Sequence, residues 1–339
     1  MASSNHTSLF TCLSAIGFGL MWGVMSLNGG SEAMFKTAWT GVFPDGTLLG
    51  MKHSGIWPLD FQLNTLVAFF SSVVDSRDVD VGPYLMVLDL TTTILVINMM
   101  VLVNSRRHIG FWLRSATLWI CLCNCFGTAV FFPIWSLLYI NQRNGGTSRP
   151  LLQSDAWALQ ATALLSILLE LPLLAPAWAG AGPDSIQKGV LVFFLVLPVS
   201  SCFQTLASWA LTAPAPKRSG PVKIPYYITG VFSSLVHIYT IAYALMSPEI
   251  SLGRVFVPHH AFVMRGSPKL LTEAAHLFLQ YDYIIVAITV LLVGSIILRN
   301  KPKVNRASSG SVLTLLGLTC IFGPGAGLAY AAYYGEDHY

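Results

Sequence analysis

Four carboxyl side chains stand inside or at the edge of long apolar runs: Asp60, Asp89, Glu170 and Asp282. Lipid offers no hydrogen bonds, and a charge at mid-bilayer costs about 2.5 kcal/mol or more, so such residues are kept where they are paired or face an interior cavity. A carboxyl group shut away from water holds its proton and is suited to act as a general acid. Glu170 is the deepest of the four. Trp157 and Trp178 read as the aromatic anchors of its helix, ~31 Å apart at 1.5 Å per residue, with Glu170 between them. Pro172, two residues on, removes a backbone donor and frees the Leu168 carbonyl beside the carboxyl group.

Asp89 carries Thr92 and Thr93 at i+3 and i+4, a small polar face that should look inward. Asp60, Asn64, Ser71 and Asp75 recur at helical spacing, with Leu59, Leu63, Leu66, Phe70 and Val73 on the other side. A cavity-lining helix and an amphipathic interfacial helix both read this way. Asp282 lies near the start of its run, opposite His276, Gln280 and Tyr283, where headgroup depth is the alternative to burial. His237 shares a face with Ser233 and Thr240, and a neutral imidazole bonded between helices is its ordinary explanation. Candidate substrate contacts are Asn64, Trp57, Phe69, His237 and Tyr283, and paired aromatics such as Phe193 and Phe194 could line a pocket for an unsaturated compound.

The elements that must position these groups are transmembrane helices. Of 339 residues, 54% are apolar or aromatic and 10% charged, far below the ~25% charge of a soluble domain. The net charge of +4 is scattered, with no basic stripe, so nucleic acid is not an expected partner and the lipid bilayer is. The spans read as Leu9–Ser26, Pro83–Val103, Leu118–Ile140, Trp157–Trp178, Gly189–Leu211, Tyr226–Met246, Leu277–Leu298 and Val312–Tyr333. That predicts an all-α, polytopic helix bundle of about eight spans forming one membrane domain over residues 1–339. A ninth candidate, Leu59–Val74, is shorter and ends in the charged run Asp75 to Asp80, so it spans, re-enters or lies in the interface.

With eight spans, Arg106, Arg107 and Arg114 fall on one side together with Lys188, Arg254, Arg265 and Lys269, and Lys217, Arg218, Lys223 and the Arg299–Arg306 cluster fall on the other. The positive-inside bias then puts the second group in the cytosol and the N-terminus, with its Asn5-His6-Thr7 sequon, in the lumen. The segments 29–56 and 247–276 are long enough to fold over a cavity mouth as lids. Cys121, Cys123 and Cys125 cluster inside an apolar helix with no nearby His or carboxylate and read as packing residues.

The stretch Gly55-Ile56-Trp57-Pro58-Leu59-Asp60 leading to Leu66-Val67-Ala68-Phe69-Phe70 resembles a fungal family of integral-membrane terpene cyclases from meroterpenoid pathways, of the ascochlorin and ascofuranone type. The resemblance implies cyclisation of a prenylated aromatic epoxide, started by protonating the epoxide oxygen and finished by proton loss or hydroxyl capture, with no cofactor and no metal. It also implies residence in an intracellular membrane, expected to be that of the endoplasmic reticulum. It makes Asp60 an acid candidate beside Glu170, with Asp89 and Asp282 as the others. Two rivals stand against it. The run Asp75 to Asp80 is similar to one half of the magnesium-diphosphate site of UbiA-type prenyltransferases, but the loop Ala213–Lys223, where the second half belongs, has no carboxylate. A transporter or receptor-like protein would use Glu170, Asp89 and His237 to hold an ion or ligand, although the sequence shows no inverted repeat and no matched broken helices.

Overall fold

The computed structural model describes residues 4–50, 53–75, 80–107, 110–145, 149–211, 222–299 and 312–336. Part of the charged run (76–79), most of the loop before Lys223, with Lys217 and Arg218, and the cluster after Arg299 lie outside the described residues. Among the described residues every regular element is a helix. Helix α1 (Ser4–Phe18) continues through one π turn into α2 (Val24–Leu27), followed by α3 (Gly30–Thr40), α4 (Trp57–Val74) and α5 (Val81–Arg107). The short α6 (Phe111–Arg114) precedes α7 (Ala116–Phe126) and α8 (Thr128–Asn144). Next come α9 (Gln153–Leu168), α10 (Leu171–Trp178), α11 (Pro183–Val196) and α12 (Val199–Ala210). The chain closes with α13 (Lys223–Met246), α14 (Leu252–Phe256), α15 (Leu270–Arg299) and α16 (Val312–Gly335).

Breaks fall where the backbone demands them. Pro172 at the start of α10 cannot continue the α9 ladder, and Pro198 stands at the 44° bend between α11 and α12. Helix α5 is buried along almost its whole length and forms the axis of the bundle. Among the described residues, six segments are long and apolar enough to cross a membrane, and the bent α11–α12 pair makes a seventh. The chain is a multi-pass membrane protein.

One of those six does not cross as a rod. Gly323 in α16 has φ +89° and ψ 163°, outside the helical region. A Cβ added at Gly327 would stand 2.2 Å from Thr319 Oγ1 and 3.5 Å from Leu315 Cδ1. In a straight helix those residues would be about 12 and 18 Å away along the axis. Gly294 of α15 likewise packs against both Leu315 and Ala331. Helix α16 is therefore a hairpin whose two arms meet at Gly323.

The run expected to span from Leu118 to Ile140 is a second such hairpin. It breaks at Gly127, with φ +111°, into α7 and α8. A Cβ on Gly110, ahead of α7, would lie 2.5 Å from Gln142 Nε2 at the end of α8. Apolar length alone cannot reveal either reversal, because both arms of each hairpin are apolar. Among the described residues six crossings remain: α1–α2, α5, α9–α10, α11–α12, α13 and α15.

Both hairpins open at one end of the bundle, where Arg107 forks onto Glu336, Arg143 donates to the Gly335 carbonyl at 3.4 Å and Lys223 lies over the Tyr333 ring. Arg106, Arg107 and Lys223 thus share one end, correcting the expectation that a bilayer separates them. Helix α1 runs antiparallel to α8, through Ser14 Oγ to Val130 O (2.7 Å) and Trp22 Nε1 to Phe126 O (2.9 Å). Its start belongs to the same end, not across the membrane from Lys223. The ninth candidate, α4, buries Leu63, Leu66 and Phe69 on one side and Asp60, Asn64 and Ser71 on the other, so it packs inside the bundle on both faces.

Candidate active site

Between α3, α4, α5, α7, α11 and α15 lies a cavity of ≈ 130 Å³ walled by aromatic rings. Phe278 of α15 meets Trp22 edge-on at 5.1 Å and Phe69 of α4 at 5.1 Å, and Phe70 packs 5.0 Å from Phe194 of α11. Polar groups in the wall are few. The Thr65 and Thr91 hydroxyls are tied to the Phe61 and Val87 carbonyls one turn back, and the Asn124 amide donates to Ile120 O. Asp282 is the one carboxylate among the described lining residues.

Asp282 sits at the apex of the α7–α8 hairpin. Its Oδ1 accepts the Ala129 N–H at 2.5 Å and its Oδ2 the Thr128 N–H at 3.2 Å. These are unpaired donors of the first turn of α8, aimed at the carboxyl because Gly127 lets the chain reverse there. Asp282 is 3% exposed, enclosed by the bundle, and lines the cavity.

Asp89 faces away from the cavity, on the other side of α5. Its Oδ2 accepts from His237 Nδ1 at 2.6 Å and from Tyr283 Oη at 3.3 Å, joining α5, α13 and α15. Phe256 of α14 covers this trio, 6.0 Å from the His237 ring and 5.3 Å from that of Tyr283. Helix α14 is pinned by Arg254, which pairs with Asp80 and Glu273, and by Gln280, which donates to the Arg254 and Val255 carbonyls. The segment expected to act as a lid thus covers the polar trio and leaves the aromatic cavity uncovered. Met34 and Phe35 of α3, from the other long segment, line the cavity itself.

Glu170 lies at the break between α9 and α10, beside a separate cavity of ≈ 20 Å³ shared with Asn98, Ser166 and Ser200, room for about one water. Its Oε2 has no protein partner, and Phe193 forms a wall common to this space and the aromatic cavity. Asp60 is engaged elsewhere. Its carboxylate accepts the Ser54 N–H and hydroxyl, both at 2.7 Å, and the Gly55 N–H at 3.0 Å, clamping the turn before α4. Asn64 bonds His53 Nε2 at 2.9 Å, and Trp57 is exposed in a cluster with Trp39 and Phe61. Of the residues singled out from sequence, the structure brings Asp282 and Phe69 to the cavity and Asp89, His237 and Tyr283 to one polar centre. Glu170, Asp60, Asn64 and Trp57 stand apart from both.

The sequence model of the CtvD domain matches residues 5–337. The chain belongs to the CtvD family. Terpene cyclase DEP1 of Alternaria brassicicola is 29% identical over 358 aligned residues, covering 96% of each chain. DEP1 of Fusarium langsethiae is 29% identical, over 94% of this chain and 95% of its own, and terpene cyclase alnG of Emericella nidulans is 24% identical, over 95% and 92%. No solved structure matches the chain. In this CtvD-family chain, sequence reasoning missed Gln62, Thr91, Asn124 and Phe278 in the cavity wall. The one signal that could have found the site is Gly127 between apolar runs, a residue able to reverse the chain at the depth of Asp282.

Proposed function

We propose that this chain is a membrane-embedded terpene cyclase that protonates a terminal epoxide on a prenylated aromatic substrate and closes the prenyl chain into a ring. The observation that carries the reading is Asp282, a carboxyl group in the wall of an aromatic cavity and at the N-terminus of a half-helix. The names of the relatives support it. Proton transfer from Asp282 to the epoxide oxygen leaves a carboxylate held by the Thr128 and Ala129 N–H groups. The epoxide C–O bond breaks at its more substituted carbon, and the electrons of a nearby double bond close the ring onto that carbon. The faces of Trp22, Phe69 and Phe278 stabilise the travelling cation by about 0.5–2 kcal/mol each, and the apolar walls keep water from quenching it. Return of a proton to the same carboxylate, either from a carbon beside the cation or from a substrate hydroxyl as its oxygen captures the cation, restores the acid and ends the sequence with a product isomeric with the substrate. No metal or cofactor takes part in this proposal.

Glu170 is the second candidate acid, because Phe193 lines both its space and the cavity. The test is to incubate membranes holding the protein with prenylated-phenol epoxides, in chelator, and to look for products of unchanged mass. Asp282→Asn keeps the shape but removes the transferable proton, so turnover should fall by at least ~10²-fold at equal folded protein, with Glu170→Gln changed only several-fold. Near-parental turnover of Asp282→Asn would overturn the assignment, and full loss in chelator restored by magnesium would overturn metal independence. A transporter reading draws on the two broken helices, a device that carriers use at mid-membrane. Here both hairpins open at the same end and form no inverted pair. Uptake of unchanged compound into proteoliposomes would favour transport.

A further inference from the structure

The α16 hairpin also ends at a polar site. Around the Asp89–His237–Tyr283 trio, five buried polar atoms have no protein partner: Asp89 Oδ1, Thr93 Oγ1, Ser233 Oγ, His237 Nε2 and Thr240 Oγ1. Their side chains are 0–5% exposed, and they come from two facing helices, α5 and α13. The apex of α16 presses on the same place. A Cβ on Gly323 would lie 2.9 Å from His237 Cγ, and one on Gly325 would lie 2.2 Å from Ser233 Oγ and 3.2 Å from Thr93 Cα. The outgoing arm of the hairpin begins there, and its first N–H groups, like those of α8 at Asp282, have no partner within their own helix.

Each of these atoms would cost as much as a lost hydrogen bond if left bare; the three hydroxyls can turn onto carbonyls of their own helices, but Asp89 Oδ1 and His237 Nε2 have no such recourse and call for a polar partner between α5 and α13. The set fits water. Three hydroxyls can each donate or accept, Asp89 Oδ1 accepts, and His237 Nε2 is an acceptor when its proton sits on Nδ1. The 2.6 Å contact between Nδ1 and Asp89 Oδ2 favours the tautomer in which Nδ1 donates to the carboxylate, and Tyr283 Oη donates to the same oxygen.

We propose that these groups enclose bound water, and that His237, oriented by Asp89, exchanges protons with it through Nε2. The protein then has a second proton-handling centre, behind the α5–α15 wall of the cavity. In the exchange a proton passes from water to Nε2 while Nδ1–H stays bonded to Asp89, and its return restores both partners without net change. The inference stands on the polar cluster alone and not on the cyclase reading.

The experiment uses the full chain in lipid nanodiscs, labelled with ¹⁵N-histidine and studied by magic-angle-spinning NMR, with His237 assigned from its loss in His237→Gln. The expected result is a protonated Nδ1, a bare Nε2 and magnetisation transfer from water to the ring. Asp89→Asn should move the proton toward Nε2. Thr93→Val, which leaves the Asp89–His237 bond intact, should reduce the water transfer at least twofold. A dry ring, with no water transfer in the unaltered protein, overturns the proposal, as does a proton resident on Nε2. Neither readout needs a substrate, so failure here is distinct from failure of the cyclase assignment.

Discussion

At the scale of the residue, one side-chain type does four jobs because four backbones meet it differently. Asp282 takes two backbone donors at a helix start, Asp89 takes an imidazole and a phenol, Glu170 keeps one oxygen free, and Asp60 ties a turn. Asp60 stands in the first turn of α4, which is not among the segments able to cross the membrane, and the Ser54 hydroxyl and N–H hold its carboxyl below the usual range. A depressed folded value means that the clamp stabilises the fold above the unfolded value, near 3.8, and loses that contribution as pH falls through the folded one. Asp60→Asn should therefore lower the melting temperature in detergent at neutral pH, and the gap from the parent should close below about pH 3.8. A gap that stayed constant down to pH 3 would deny the ionised clamp. The cost of burying a carboxyl made all four residues legible in the sequence. Which way each one points was not legible, because the turn before α4, the break at Pro172 and the reversals at Gly127 and Gly323 set their surroundings.

At the scale of the element, the two glycine apices matter more than helix propensity. The runs Leu118–Ile140 and Val312–Tyr333 are apolar on both sides of their reversals, so each reads as a straight span until Gly127 and Gly323 are given positive φ. A side chain at Gly127 meets two obstacles, since φ +111° disfavours any L residue and its Cβ would fall 2.3 Å from Met21 Cε. Gly127→Ala should destabilise the protein by about 1–2 kcal/mol from the backbone alone, seen as a lower melting temperature and a smaller monodisperse peak in detergent. The protein that does fold should turn over more slowly, because the Thr128 and Ala129 donors would shift away from Asp282. Gly317 is a fair control, a helical glycine with open space around it, and Gly317→Ala should leave turnover unchanged and the melting temperature equal or higher. The helix inventory, by contrast, is legible in composition: all eight expected spans return as helices or helix pairs over the expected residues, six of them as crossings.

At the scale of the whole molecule, the hairpins decide which ends of the bundle face the same compartment. If Leu118–Ile140 crossed the membrane, Arg114 before it and Asn141 after it would lie on opposite sides. As a hairpin, it places them on one side, together with His6 at the start of α1, while Asp45 and Lys188 lie on the other. That arrangement gathers Arg106, Arg107, Arg143 and Lys223 at one end, the distribution expected of a cytosolic face. The measurement is labelling of single cysteines at positions 6, 45, 114, 141 and 188 by a membrane-impermeant maleimide, in sealed vesicles of a variant whose native cysteines are replaced. Positions 6, 114 and 141 should react from one side, and 45 and 188 only after the vesicles are opened, or the reverse if the vesicles are inverted. Opposite sidedness of 114 and 141 would make α7–α8 a true span. It would also pull the α8 N-terminus away from Asp282, and the cavity would lose the two donors on which the proposed chemistry depends.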